Sequence, residues 1–124
     1  MSTARGSKSA LIVEDASIVR SMLNKILSED GFVCSEAGSG EEAIKAYRAQ
    51  PTDIVTLDIH IDGLSGMSVL QVLRTIDPNA RIIVISVEGD RAFIEEAIRQ
   101  GAKAFVAKPF LPETLRDAIT RAFE

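Results

Sequence analysis

The chain has 124 residues, of which 46% are hydrophobic and 26% are charged, a composition typical of one folded domain with a single core. Its net charge of −4 argues against a module that tracks nucleic-acid phosphates. The longest apolar runs, Ala10–Val13 and Ile82–Ile85, are too short for a membrane span or a signal peptide. The single cysteine, Cys34, lacks the spacing of a zinc site and is expected to be a small, half-buried residue. These features predict a cytoplasmic domain without direct nucleic-acid binding or membrane insertion.

Five apolar runs recur along the chain and predict five β-strands. They are Ala10–Val13, Val33–Ala37, Ile54–Leu57, Ile82–Ile85 and Ala104–Ala107. Four of them are almost uniformly apolar, which predicts strands buried on both faces of a parallel sheet. The run at 33–37 contains Ser35 and Glu36 and is therefore predicted to lie at an edge of the sheet.

Segments with helical spacing of apolar residues alternate with these strands and predict five helices. In the first helix the apolar positions are Ile18, Val19, Met22, Leu23, Ile26 and Leu27. In the third helix they are Met67, Leu70, Leu73 and Ile76, and in the fourth they are Phe93, Ile94, Ala97 and Ile98. In the fifth helix they are Leu115, Ala118, Ile119, Ala122 and Phe123. Residues that start or stop helices flank them, namely Gly31, Ser39 with Glu42, Pro51, Asp77, Gly101 and Pro112.

Strand and helix alternate five times, which predicts an α/β fold: a doubly wound, five-stranded parallel sheet with helices on both faces and right-handed crossovers. Residues 1–8 are small and polar and are predicted to form a flexible N-terminal tail. Residues 9–124 contain no linker, repeat or low-complexity tract. We therefore expect the chain to act as a single module.

Polar side chains suited to chemistry follow four of the predicted strands. Glu14 and Asp15 follow the first strand, Asp58 the third, Ser86 the fourth and Lys108 the fifth. Because ligands of open parallel sheets bind beyond the carboxyl ends of the strands, these side chains are expected to meet at one edge. Each alone has a structural interpretation, as a helix cap or a solvated lysine, but the combination favours a site. Clustered carboxylates need a compensating cation, and oxygen ligands suit Mg²⁺ (or Mn²⁺).

In these motifs the chain resembles the receiver domains of two-component response regulators, especially the single-domain chemotaxis (CheY-like) type. The motifs are Glu14-Asp15, Asp58 after Ile-Val-Thr-Leu, Ser86 after Ile-Ile-Val-Ile, and Lys108-Pro109-Phe110; the resemblance runs from residue 9 to residue 124. It implies a flavodoxin-like (βα)5 fold with strand order 2-1-3-4-5. It also implies a phospho-accepting signalling domain rather than a conventional enzyme.

The resemblance further implies a role for each residue of the predicted site. Asp58 would be the phospho-acceptor, a carboxylate nucleophile that forms an acyl phosphate. Asp15, Asp58 and the backbone carbonyl of His60 would bind Mg²⁺, and Glu14 would act through a water on the metal. Lys108 would pair with a carboxylate at rest and with the phosphoryl group afterwards.

Two further residues would form the switch that reports phosphorylation. Ser86 would move its hydroxyl onto a phosphoryl oxygen, and Phe105 would then pack inward. The Lys108–Pro109 peptide bond is expected to be cis, an isomer accessible before proline. The output surface would comprise the fourth helix, fifth strand and fifth helix, around Ala92, Glu96, Arg99, Phe105 and the loop 108–111.

The chain departs from the family pattern around the acceptor. Asp62 stands where the family commonly has proline, and Val87 stands where a small residue usually follows the switch hydroxyl. The resemblance places His60, Val87 and Glu88 around Asp58, where we expect them to modulate the lifetime of the phosphorylated state. Val87 is expected to restrict the approach of water, and His60 to orient or deprotonate it.

The expected function is that of a stand-alone response regulator. It would accept a phosphoryl group from a sensor histidine kinase or a histidine phosphotransfer protein and bind a downstream protein, as a monomer or a phosphorylation-dependent dimer. Alternatives are a phosphorelay intermediate, a phosphate sink, or a pseudo-receiver that acts without phosphorylation. A flavin or nucleotide carrier would need a Gly/Ser/Thr-rich loop where Glu14-Asp15-Ala16-Ser17 stands. A haloacid-dehalogenase-like phosphatase would have its nucleophile on the first strand and an aspartate in place of His60.

Overall fold

A computed structural model of the chain describes residues 8–60, 65–87 and 91–124. Strands and helices alternate throughout these residues. Their bounds are β1 Lys8–Val13, α1 Ser17–Glu29, β2 Phe32–Ala37, α2 Gly40–Ala49, β3 Ile54–Asp58, α3 Gly66–Ile76, β4 Ile82–Val87, α4 Arg91–Arg99, β5 Ala104–Lys108 and α5 Pro112–Ala122. No helix within the described ranges is long and apolar enough to cross a membrane.

The strands form one parallel sheet in the order β2-β1-β3-β4-β5. The predicted doubly wound α/β fold with order 2-1-3-4-5 is therefore confirmed. Val13 pairs with Leu57, and Asp58 pairs with Ile85, so the carboxyl ends of β1, β3 and β4 lie level with one another. The chain changes its direction of winding between β1 and β3, and such a point in an open sheet is where ligands bind.

Helices cover both faces of the sheet, so the core has two parts. Helices α2, α3 and α4 cover one face, and α1 and α5 cover the other. Successive residues of a strand point to opposite faces, which is why Val55 and Leu57 lie in the first part and Ile54 in the second. Because helices shield both faces of the sheet from solvent, the central strands are apolar almost throughout, as the sequence predicts.

The edge strand β2 agrees with the sequence prediction, whereas the start of β1 differs from it. β2 is an edge strand, as predicted, and its Cys34 is half-buried. β1 begins before the apolar run, because Lys8 pairs with Phe32 at the start of β2. The rest of the predicted tail, residues 1–7, lies outside the described residues.

One prediction of burial is wrong, and the apolar stripe of α1 is only partly buried. The pattern predicts β5 to be buried on both faces, but β5 is the second edge of the sheet, and Phe105 is 41% exposed. The apolar stripe of α1 is divided: Leu23 and Leu27 are buried, whereas Ile18 is 82% and Met22 is 43% exposed. The two exposed residues are four apart and are therefore neighbours along the helix surface.

The predicted helix signals act at the ends of the helices. Gly31 and Gly101 have φ of +93° and +108°, the left-handed conformation in which glycine commonly ends a helix. The Ser39 hydroxyl accepts a hydrogen bond from the backbone N–H of Glu42 at 3.2 Å. The Glu42 carboxylate reaches back to the backbone N–H of Gly38 at 2.7 Å, one residue before the helix cap.

Candidate functional site

Three carboxylates meet at the carboxyl ends of β1 and β3. Oxygens of Glu14, Asp15 and Asp58 all lie within 4.8 Å of one another. Glu14 is 1% and Asp58 5% exposed, while Asp15 is half-buried. The two strands are adjacent and parallel, so the residues that follow Val13 and Leu57 are neighbours in space. The meeting of these carboxylates, expected from the strand ends, is observed.

The Lys108 ammonium faces two of these carboxylates. Its Nζ lies 3.0 Å from Glu14 Oε1 and 3.3 Å from Asp58 Oδ2. Lys108 ends β5, so its side chain reaches past the end of β4 to arrive at β1 and β3. The Lys108–Pro109 peptide bond is cis, the isomer that the resemblance implies.

The charges of this cluster do not balance. Burial raises the pKa of Glu14, and the nearby Asp58 adds to the rise, although Lys108 and the backbone N–H of Ala16 oppose it. Burial alone would lower the pKa of Lys108, but its contacts with Glu14 and Asp58 outweigh burial and raise that pKa overall. Three carboxylates facing one ammonium leave excess negative charge. An all-oxygen donor set with such an excess fits a hard divalent cation such as Mg²⁺.

Ser86 and Val87 end the strand between β3 and β5. Ser86 is 1% exposed and follows Ile85, the residue that pairs with Asp58. Val87 pairs with Lys108 and is 51% exposed. Both therefore lie beside the carboxylate cluster, Ser86 inside the protein and Val87 at its surface.

His60 follows the acceptor candidate and contacts a second element. Its backbone N–H donates to Asp58 Oδ1 at 3.0 Å. Its exposed ring meets the ring of Phe93, in the first turn of α4, edge to face with the centroids 5.6 Å apart. Asp62 and Glu88 lie outside the described residues, so the expected place of Glu88 near Asp58 stays a prediction.

Large exposed apolar side chains lie on the elements of the predicted output surface. Phe93 and Ile98 of α4 are 47% and 44% exposed, and Leu111, just before α5, is 63% exposed. Phe105, on β5, is exposed as well. Several such residues on adjoining elements are typical of a surface that binds a partner.

The sequence reasoning missed Arg20, in the first half of α1. Its Nη1 donates to the carbonyl oxygen of Glu14 at 2.8 Å, and its Nε donates to Glu36 at 2.9 Å. The available signal was an arginine five residues after Asp15. Charged residues are common on helix surfaces, so this signal did not distinguish Arg20 from solvated side chains.

A parallel sheet of order 2-1-3-4-5 with carboxylates, a buried serine and a lysine at its carboxyl edge is the arrangement that the resemblance to receiver domains implies. Residues 10–120 match the family model of the response regulator receiver domain. The chain therefore belongs to the response regulator receiver family of two-component signalling.

Relatives of known name match the chain over almost its whole length. Chemotaxis protein CheY of Thermotoga maritima is 42% identical over 115 residues, which cover 92% of this chain and 96% of the relative. Sporulation initiation phosphotransferase F of Bacillus subtilis is 32% identical over 111 residues, which cover 90% of this chain and 90% of the relative. A crystal structure of a CheX–CheY–BeF3–Mg²⁺ complex from Borrelia burgdorferi matches with a TM-score of 0.90 at 31% identity over 99% of both chains. The chain is thus CheY-like throughout.

Proposed function

We propose that the protein is a stand-alone response regulator in which Asp58 accepts a phosphoryl group from a sensor histidine kinase or a histidine phosphotransfer protein. The observation that supports it best is the cluster of charges around Asp58, which shares Lys108 with Glu14 and lies against Asp15. A carboxylate oxygen of Asp58 attacks phosphorus, the P–N bond of the phosphohistidine breaks, and the imidazole leaves with a proton. The product is an acyl phosphate.

Mg²⁺, when bound, supplies positive charge against the phosphoryl oxygens. Asp15, Asp58 and the backbone carbonyl of His60 would hold it, with Glu14 at one remove through a water. The excess of carboxylates over ammonium in this cluster supports such a site. Mn²⁺ has the same preference for oxygen ligands and is expected to substitute.

Lys108 and Ser86 stabilise the transferred group. The Lys108 ammonium lies 3.3 Å from Asp58 Oδ2, so a short movement brings it to a phosphoryl oxygen on that carboxylate. The Ser86 hydroxyl donates to another phosphoryl oxygen. These residues lie on β5 and β4, the strands next to α4, so a change at Asp58 is carried toward the output surface.

The test of the acceptor is phosphorylation by acetyl phosphate and Mg²⁺, followed by intact-mass measurement. Wild type is expected to gain one phosphoryl group, and chelation of the metal to prevent the gain. Asp58→Asn is expected to abolish it, because an amide is a poor nucleophile. Asp53→Asn is the matched control, since Asp53 lies just before the other end of β3. Labelling retained in Asp58→Asn would reject the acceptor, and an unlabelled wild type would favour a pseudo-receiver.

Phe105 is proposed to couple phosphorylation to the output surface of α4, β5 and α5. Its side chain is exposed at rest and turns inward when Ser86 moves. Phe105→Ala is expected to leave acetyl-phosphate labelling intact but to reduce the phosphorylation-induced NMR shifts of Ala92, Glu96 and Arg99. Phe123→Ala, at the end of α5, is the control and keeps those shifts. Unchanged shifts in Phe105→Ala would rule out the coupling role.

A phosphorelay intermediate is the second candidate, favoured by the likeness to sporulation initiation phosphotransferase F. In that role the acyl phosphate passes its phosphoryl group on to a second histidine. Transfer from the purified phosphorylated chain to candidate histidine phosphotransfer proteins distinguishes the two. Rapid transfer supports the relay, whereas hydrolysis alone supports the end-point regulator or a phosphate sink.

A further inference from the structure

The turn between β1 and α1 carries two of the three carboxylates, yet its own residues hold it weakly. Over residues 16–20, all within the described part of the chain, α1 begins after Ala16 without a side-chain cap and without an acidic residue in its first turn. The backbone N–H of Ala16 donates instead to Glu14 Oε2 at 3.1 Å. The position of Asp15 must therefore be fixed from outside the turn.

Arg20 supplies the missing contacts. Its Nη1 donates to the backbone carbonyl of Glu14 at 2.8 Å and reaches the carbonyl of Asp15 at 3.5 Å. The same nitrogen would lie 3.5 Å from a Cβ on Gly38, so the guanidinium sits over the end of β2. The backbone N–H of Glu14 donates to Ala37, also at that end, at 3.0 Å. Both backbone groups of Glu14 are thus tied down.

Arg20 is itself held in place by β2. Its Nε donates to Glu36 Oε1 at 2.9 Å, and the second oxygen of Glu36 accepts from Asn24 Nδ2 at 2.7 Å. The Arg20 side chain is only 24% exposed, so the guanidinium has few alternative positions. A planar guanidinium can donate in two directions at once, which an ammonium at this position cannot do in the same geometry.

We propose that Arg20 is a positioning residue for divalent-cation binding, because it ties the carbonyls of Glu14 and Asp15 to Glu36 and so keeps the Asp15 carboxylate within reach of Asp58. The inference rests on the Mg²⁺ site of the proposed function. Without Arg20, repulsion among the carboxylates is free to move Asp15 away toward solvent. Binding a cation then requires the turn to be brought back, and the affinity falls.

The sign of the effect separates this role from simple electrostatics. A cation near a metal site repels Mg²⁺, so removal of the Arg20 charge alone would raise the affinity. Loss of the positioning contacts lowers it. Removal of groups that orient metal ligands typically costs about 10–100-fold in affinity, so the positioning role predicts a fall of about tenfold in Arg20→Ala.

The experiment is calorimetric titration of Mg²⁺ into the unphosphorylated protein. Arg20→Ala is expected to raise the Kd about tenfold. Arg20→Lys keeps the repelling charge but not the bridge and is expected to raise the Kd at least as much as Arg20→Ala. Glu36→Gln loosens the Arg20 side chain and is expected to raise the Kd by less. Arg116→Ala is the matched control, since it removes an arginine paired with Asp30 at 3.0 Å on another part of the surface. Its Kd is expected to equal that of wild type.

A second readout separates positioning from a general loss of structure. At saturating Mg²⁺, Arg20→Ala is expected to be phosphorylated by acetyl phosphate at the wild-type rate, while half-maximal rate needs more Mg²⁺. An equal or lower Kd in Arg20→Ala overturns the proposal. If Arg20→Ala does not fold, wild-type Kd values in both Arg20→Lys and Glu36→Gln overturn it. A wild type that binds no Mg²⁺ would overturn the magnesium site as well, whereas equal affinities overturn the positioning role alone.

Discussion

At the carboxyl end of the sheet Glu14 and Asp58 share one ammonium, whereas at the amino end Asp53 and Asp77 each have hydrogen-bond donors of their own. Glu14 and Asp58 are almost fully buried and both face Lys108. Asp15 lies within 4.8 Å of them. Burial raises the pKa of Glu14 in spite of that lysine, which means that the folded protein disfavours this negative charge.

The amino end has complementary contacts. Asp53, just before β3, accepts from the backbone N–H and the hydroxyl of Ser9 at 2.7 and 3.2 Å. Asp77, after α3, accepts from the buried hydroxyl of Tyr47 at 2.8 Å. The ring of Phe123 makes cation–π contacts with two side chains. Lys8 Nζ lies 5.4 Å and the Arg81 guanidinium carbon 4.7 Å from the ring centroid.

The difference shows which end of the molecule is built for stability and which for chemistry. Satisfied polar contacts add to the free energy of unfolding, while clustered like charges reduce it. Clusters of like charge persist in proteins where a bound ligand or cation offsets their repulsion, and such a cluster is therefore typical of a functional site. Substitutions that alter charge are expected to have opposite effects at the two ends.

The largest effect is expected from Lys108→Met. The variant keeps the apolar stem but leaves Glu14 and Asp58 without their ammonium, so the free energy of unfolding at pH 7 is expected to fall by about 2 kcal/mol. Added Mg²⁺ is expected to stabilise the variant more than wild type, because the cation replaces the lost charge. Urea unfolding followed by circular dichroism measures both. Lys103→Met, just before the other end of β5, is the control and changes little; equal stability of Lys108→Met and wild type would contradict the charge imbalance.

A matched pair of neutralised acids tests the opposite signs directly. Glu14 Oε1 lies 3.0 Å from Lys108 Nζ, and its Oε2 accepts from the backbone N–H of Ala16. The two oxygens of Asp77 accept from the Tyr47 hydroxyl and the backbone N–H of Asn79. Glu14→Gln removes a disfavoured charge and is expected to raise the melting temperature at pH 7. Asp77→Asn leaves one donor unpaired and is expected to lower the free energy of unfolding by about 1 kcal/mol.

The pH dependence of the same pair gives the sign independently. The pKa of Glu14 is raised on folding, so its protonation favours the folded state. That contribution is present below its ordinary value of 4.5 and is lost as the pH rises through the higher, folded value. The advantage of Glu14→Gln over wild type is therefore expected to grow as the pH rises above 4.5. Melting curves at several pH values check this, and a constant difference would contradict it.

The smallest effect concerns the lifetime of the phosphorylated state. Val87 is half-exposed beside Lys108. In the proposed function its isopropyl group is expected to restrict the approach of water to the acyl phosphate. Val87→Ala is expected to speed phosphate loss several-fold, about 1 kcal/mol in barrier. Decay after removal of acetyl phosphate measures it, with the exposed Val33 on β2 changed to Ala as control. His60→Ala is expected to slow the decay, because its ring is expected to orient the water, and an unchanged rate would contradict that role.

The alternation of strands and helices and the meeting of the carboxylates were predictable from local patterns, whereas the strand order came from the resemblance to receiver domains. Uniform apolar runs separated by helical spacing predict a parallel sheet, because strands that are covered on both faces are typically apolar throughout. The positions of Asp58 and Lys108 at strand ends predict one shared edge, because parallel strands all end on the same side. Both arguments need only residues that are close in sequence.

The tertiary structure alone decided which surfaces stay exposed and which distant groups meet. Ile18 and Met22 have the apolar character of core residues, but they are 82% and 43% exposed. The bridge from Glu14 through Arg20 to Glu36 joins three elements, and no spacing in the chain encodes it. Periodicity fixes which residues can share a face of one element, whereas contacts between elements depend on how those elements pack, and that is decided only when the whole core forms.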